Sequence, residues 1–141
     1  MGISANKQVA LDFLEALRSE NFDKLRAVIK DDIAWWLPPS TRKVLGFPDA
    51  VRGADNVIKF VKSLLTSTYQ SDDQKQFIIR EIVAENNLVA VRHTLRTVSP
   101  QGLPYENEYF SLSRIENAKL AEQWTYTDTA HTYEDLVTDD S

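Results

Sequence analysis

The chain of 141 residues is 43% hydrophobic and 26% charged, a globular composition with enough apolar mass for one domain and its core. Its net charge of −5 and pI near 5.0, relieved only by the small basic cluster Arg42–Lys43, argue against nucleic-acid binding. The lack of cysteine excludes disulfides, thiol nucleophiles and thiolate metal sites, and no segment reaches the ~18–20 apolar residues of a membrane span.

The opening "MGISANKQVA" lacks the apolar core of a signal peptide, and Asn6 stands where a myristoylation signal has Ser or Thr. A cytoplasmic location is the expectation. In "KQVALDFLEALRSE", Val9, Ala10, Phe13, Leu14 and Leu17 fall on one helical face. A second, shorter helix follows with Asn21 as N-cap and Phe22, Leu25, Val28 and Ile29 on one side. "IAWWLPPS" reads as a short strand closed by prolines, and "STRKVLGFPDAVRG" as loop. "ADNVIKFVKSLLTST" is amphipathic, with Val57, Ile58, Val61, Leu64 and Leu65 in line.

The second half changes period. "KQFIIREIVAE", "LVAVRHTLRTVS", "YENEYFSLSRI" and "LAEQWTYTDT" are strand-like runs joined by the short turns "ENN", "PQGLP" and "ENAK", which favour an antiparallel meander. The expectation is an α+β domain over residues 1–137, three helices on a strongly curved, mostly antiparallel sheet, followed by an acidic flexible tail at 138–141. Such a sheet roofed by helices makes a cone that suits small hydrophobic molecules. Alternation does not say which sheet face lines it, because both faces are mixed; the expectation is that both are partly covered, one by helices and the other by a second subunit.

Several side chains could carry chemistry. Trp36 could stack on a flat ligand or fill the core with Trp35. Arg92 could orient a substrate oxygen, pair with Glu108 or Asp128, or sit in a surface ion pair. His93 could carry a proton, its unperturbed pKa being ~6.5, or be a hydrogen-bonded structural residue. Asn107 and Tyr109 share a face and could polarise a carbonyl, or make cross-strand contacts with Arg92 or Thr94. Asp128 and His131 could form an acid–imidazole couple, or Asp128 could cap a terminal helical turn. Tyr126 shares the last strand with Asp128. With two histidines and neither a His-x-x-x-His helix nor a glycine-rich phosphate loop, no metal and no cofactor are expected.

The order of elements, "IAWWLPPS" with Gly46 and "RGADNVIKFV", then "YENEYFSLSRIENAKLAEQW" and the closing "YTDTAH", resembles the NTF2-like superfamily, and within it the SnoaL-like, ketosteroid-isomerase-related branch. The resemblance covers roughly residues 5–137. It implies a cone-shaped, cofactor-free and metal-free fold, a homodimer, and isomerisation, cyclisation, dehydration or hydrolysis on polyketide-, terpenoid- or steroid-like molecules. The superfamily also contains proteins that only bind or assemble. Where steroid isomerases have their base this chain has Leu37, and where they have their tyrosine it has Phe13; their second acid falls near Glu108. Against the epoxide-hydrolase pattern Arg92 matches, but Thr94 and Thr125 stand where aspartates belong. A threonine is neither a base nor a carboxylic acid at neutral pH. The remaining catalytic candidates are Asp128, Glu108, His131 and Arg92, with Trp36, Asn107, Tyr109, Tyr126, Thr94 and His93 as substrate contacts.

Overall fold

Helix α1 (Ala5–Ser19) starts where the Ser4 hydroxyl accepts from Lys7 N, and stops at Glu20, which turns left-handed at φ 55°. The computed structural model describes residues 4–68, 75–98 and 101–132, with the backbone alone at 65–68. Helix α2 (Phe22–Val28) is capped by Asn21, whose side chain accepts from Lys24 N at 3.0 Å. It ends one residue before the sequence suggests: Ile29 opens strand β1 (Ile29–Trp36).

The segment expected as loop is ordered differently. It holds helix α3 (Pro39–Leu45) and strand β2 (Ala50–Arg52). Pro39 sits in the first turn, where its fixed φ suits a helix and its missing N–H has no partner to lose. Gly46 ends α3 at φ 72°, and its N–H donates to Arg42 O at 3.1 Å. Strand β2 pairs antiparallel with β1, Trp36 opposite Ala50, and Leu37 N donates to Asp49 O at 3.0 Å at the base of the excursion.

Helix α4 (Ala54–Thr68) follows, then β3 (Gln76–Glu85), β4 (Leu88–Val98), β5 (Pro104–Glu116), β6 (Lys119–Thr127) and the single-turn α5 (Thr129–Thr132). The described strands form one sheet in the order β2-β1-β6-β5-β4-β3, so six strands stand among the described residues where five were expected. Among the described strands only β1 and β6 run parallel; the other pairs are antiparallel, as in the expected meander. The registers shift between Ile29 and Ala34, Ile79 and Glu81, and Arg114 and Ile115. Such bulges increase local twist and bend the strands, which produces a curved, unclosed sheet. The β5–β6 connection places Asn117 and Ala118 at φ 52° and 63°, a two-residue turn with both central residues left-handed.

The inner face of the sheet carries Ile33, Trp35, Val89, Val91, Ile115 and Leu120, packed against Ala10, Phe13 and Leu14 of α1, Leu25 of α2, and Val57 and Val61 of α4. The faces expected for α1 and α4 are the buried ones; the Leu65 side chain, Ser99, Pro100 at the start of the "PQGLP" link and the tail at 138–141 lie outside the described residues. Phe13 meets Trp35 edge to face at 5.6 Å, and Trp35 meets Phe60 the same way at 5.9 Å. Each contact of this kind adds ~0.5–1.5 kcal/mol beyond burial.

Candidate functional site

The helices do not fill the bend of the sheet. A cavity of about 620 Å³ opens between α1, α4 and the inner sheet face, with α3 and α5 at its edge. That is within the roughly 300–1,000 Å³ of small-molecule sites. Its helical wall is apolar: Phe13, Leu14 and Leu17 from α1, and Phe60, Val61 and Leu64 from α4. Its sheet wall is mixed, with Phe77 and Leu95 beside His93, Tyr109, Ser111, Gln123, Thr125 and Thr127. No Asp, Glu, Lys or Arg occurs among the described lining residues, and His93 and Tyr109 are their only titratable groups.

Strand parity explains this set. His93 pairs with Tyr109 across β4 and β5, and Tyr109 with Thr127 across β5 and β6, so the three share one face. The His93 ring lies between Phe77 and Tyr109, each 5.3 Å away between centroids, and is nearly parallel to Tyr109. It is 4% exposed, and its Nδ1 has no hydrogen-bond partner among the described residues. Burial pushes its pKa down to about 4, against a smaller upward pull from Glu108. The imidazole is therefore neutral near pH 7. An unsatisfied buried polar atom costs ~1–3 kcal/mol, a cost that plain core packing with an apolar residue avoids.

The tryptophan pair separates. Trp35 lines the cavity and donates its indole N–H to Thr125 Oγ1 at 2.9 Å. Trp36, the residue expected at the ligand, faces the other side, where its N–H donates to Glu122 Oε2 at 3.1 Å and the Arg52 guanidinium lies over its ring.

Four further candidates lie on that outer face. Arg92 is half-exposed and bound to Glu81 at 2.6 and 3.1 Å, with Glu108 3.8 Å away; this is the surface ion pair. Glu108 accepts from Thr94 Oγ1 at 2.8 Å, and Thr94 accepts from Arg80 Nε at 3.0 Å. Thr94 is fully buried beneath these side chains rather than in the cavity. Tyr126 is 48% exposed and pairs with Phe110 in the β5–β6 register.

The terminal candidates form a clasp. Asp128 Oδ1 accepts from His131 N at 3.2 Å, the capping arrangement, and the two side chains make no acid–imidazole pair. His131 Nε2–H donates to Glu106 O at 2.7 Å, and the ring stacks on Tyr105 at 5.2 Å. Asn107 is buried; its amide nitrogen lies within 3.0 Å of Tyr105 OH, Asp128 O and Thr132 Oγ1. Asn107 thus fastens α5 to β5, and Tyr109 alone of the expected amide–phenol pair lines the cavity. Ser40 Oγ donates to Thr129 Oγ1 at 2.9 Å, joining α3 to α5 across the rim.

Of the ten expected site residues, His93 and Tyr109 meet at the cavity. Trp35, Ser111, Gln123 and Thr125 were not among them. A signal for Trp35 was available: in "DIAWW", Asp32 shares parity with Trp36 and Ile33 with Trp35, and Asp32 is exposed while Ile33 is fully buried. A second hollow of about 280 Å³ on the outer face is lined by Lys30, Asp32, Arg114, Glu116 and Glu122, whose charges pair with one another. No cluster of three or more His, Cys, Asp or Glu side chains suited to a metal ion occurs among the described residues, and no described helix is long and apolar enough to cross a membrane.

An α+β cone with an apolar hollow under helices, built on this strand order, is the NTF2-like fold. The SnoaL-like domain model matches residues 10–123, and the chain belongs to that family. Solved structures agree on the fold. An NTF2-like protein of unknown function from Burkholderia pseudomallei K96243 superposes with TM-score 0.83 at 20% identity, covering 96% of this chain and 100% of that one. IdmH from Streptomyces antibioticus, provisionally assigned as a polyketide cyclase, gives 0.76 at 20% identity over 92% and 96% of the chains. An LEH-like epoxide hydrolase from M. tuberculosis gives 0.71 at 17% identity over 92% and 87%. A comparison with curated protein sequences finds no match. One fold thus hosts different reactions, and chemistry has to be argued from the site.

Proposed function

We propose that the protein is a cofactor-independent acid–base enzyme of the SnoaL-like type, acting on a small hydrophobic oxygenated molecule of polyketide-, terpenoid- or steroid-like character. The carrying observation is a buried, neutral imidazole with an unpartnered ring nitrogen at an otherwise uncharged, largely apolar cavity. A neutral imidazole accepts a proton from an acidified C–H or O–H of the ligand and returns it at another position, which is the elementary act of isomerisation, cyclisation or dehydration. Tyr109, stacked on it, supplies a phenol hydroxyl at the same wall. Apolar surroundings exclude water and strengthen the ion pair that forms as the proton moves. The provisional cyclase assignment of IdmH and the naming of the M. tuberculosis protein as an epoxide hydrolase support this class of reaction.

A second reading, a binding module without turnover, is favoured by one observation: no carboxylate lines the described cavity. A pKa near 4 also makes His93 a weak base until a developing negative charge on the ligand raises it. Screening uncharged polycyclic ketones, enols and epoxides for turnover separates the two. Turnover by the wild type, reduced at least about 10²-fold in His93→Gln with ligand affinity kept, is the expected result. Saturable binding with no turnover of any compound assigns the binding module instead.

We also propose that the outer sheet face joins two copies of the chain. Val83, Phe110 and Tyr126 are exposed there beside half-buried Leu112 and Trp124, between the Arg92–Glu81 and Arg114–Glu122 ion pairs. Light scattering should give a dimer mass that falls to the monomer in Phe110→Lys; a monomeric wild type would remove this proposal.

A further inference from the structure

The sheet wall of the cavity contains a polar patch whose donors are already oriented. Thr125 Oγ1 accepts the indole N–H of Trp35 at 2.9 Å, so one of its lone pairs is engaged. Its own O–H has no acceptor among the described residues, and Thr125 lines the cavity. Gln123, two residues earlier on the same face, is 1% exposed and also lines the cavity. Its Oε1 accepts from the buried Ser113 hydroxyl, which turns the amide so that the NH2 group is left as the donor. No described residue accepts from that NH2. Register fixes the arrangement: Ser113 pairs with Gln123 and Ser111 with Thr125 across β5 and β6, and Gln123 pairs with Trp35 across β6 and β1. Alternate strand residues lie about 7 Å apart at Cα, so a long Gln and a short Thr can converge on one atom.

The neighbouring hydroxyl shows the contrast. Thr127 Oγ1 donates to Glu108 O at 2.7 Å, so its proton is committed to the backbone. Along one strand, therefore, Thr127 offers the cavity lone pairs, while Thr125 and Gln123 offer hydrogens.

We propose that Gln123 and Thr125 form a two-donor grip for a carbonyl oxygen of the ligand, with Trp35 as the positioning residue that fixes the Thr125 hydroxyl. This rests on the reading of the cavity as a ligand site and narrows its occupant to an uncharged, ring-bearing carbonyl compound. The grip lies on β6, beside the Phe77–His93–Tyr109 stack that spans β3 to β5. A carbonyl held there sits on the same wall as the imidazole, and negative charge developing on its oxygen meets an amide N–H and a hydroxyl O–H donor in largely apolar surroundings. A buried amide left without its acceptor is costly, so a ligand that supplies one is selected over a hydrocarbon of the same shape.

The test uses 2-acetylnaphthalene as the carbonyl probe and 2-ethylnaphthalene as its hydrocarbon counterpart. Calorimetry on the wild type should show the ketone bound about tenfold more tightly, the preference falling to within about twofold in Thr125→Val and in Gln123→Met while hydrocarbon affinity is kept. Infrared spectra of the ketone bound to the wild type should show its C=O stretch below the value in hexane, with a smaller displacement for Trp35→Phe. This reading needs no variant of Gln123 or Thr125 to fold. An undisplaced C=O band, or a ketone preference that survives both substitutions, overturns the grip while leaving the cavity a ligand site. Failure of both probes to bind the wild type overturns the ligand-site reading and the grip together.

Discussion

Trp35 and Trp36 send their indole N–H groups through opposite faces of one sheet, the first to Thr125 at 2.9 Å and the second to Glu122 at 3.1 Å. Adjacent strand residues cannot do otherwise. Trp35→Phe should therefore weaken ligand binding at least severalfold, whereas Trp36→Phe should leave it within twofold. Tryptophan fluorescence titration of the two variants checks this directly. Equal losses in both would mean that the ligand does not occupy the cavity.

His93 makes stability depend on pH with a definite sign. Its folded pKa is lowered from 6.5 to about 4, so between those values the unfolded chain binds a proton that the folded chain refuses. Stability from this source is complete above pH 6.5 and falls as pH drops toward 4, by roughly 3 kcal/mol over the interval. His93→Leu lacks the group. The gap in denaturation midpoint between wild type and variant should shift in the variant's favour as pH falls through that window. Parallel pH curves for the two proteins would contradict the burial of a neutral ring.

The α5 clasp predicts a division between stability and chemistry. Asn107→Leu removes the amide that reaches Tyr105, Asp128 and Thr132, and leaves the Glu108 N–H, which donates to Asn107 Oδ1 at 2.8 Å, without that acceptor. A loss of about 2 kcal/mol is expected from chemical denaturation. Asp128→Ala should cost about 1 kcal/mol through the cap, and Asp128→Asn almost nothing, because asparagine caps equally well. Turnover of any substrate found should survive Asp128→Asn. Its abolition without loss of stability would return Asp128 to catalysis.

Ala118 holds φ 63° in the β5–β6 turn, where a Cβ is crowded by its own backbone. Ala118→Gly should stabilise the protein by about 0.5–1 kcal/mol despite the added freedom of the unfolded chain. A rise in melting temperature checks it, and a fall would show that the turn prefers another geometry.

Much of this fold is written in local patterns. The Asn21 cap, the apolar stripes of α1 and α4 and the alternating runs of β4 to β6 are short-range signals, and each lies where the sequence places it. Helix α3 was legible too, through Pro39 at its start and Gly46 after its end, but seven residues without a strong apolar stripe read as loop. The site was harder, because it depends on which sheet face the helices cover. Phe110, Leu112, Trp124 and Tyr126 make the outer face as aromatic as the inner one, while Ser111, Gln123 and Thr125 make the inner face polar. Composition alone cannot rank such faces. Burial and the pairing of Arg92 with Glu81 decide between them, and both are properties of the assembled sheet.

The parallel seam between β1 and β6 joins the first of the described strands to the last, with Trp35 beside Gln123. A ribosome releases the first of these long before the second exists. The cone therefore has no intermediate length of nascent chain at which its wall can close, and its formation is governed by a distant pairing with a high loop-closure entropy. Until β6 arrives, the edge of β1 that later meets it is an open template for other strands, which makes early chain termination a direct route to aggregation.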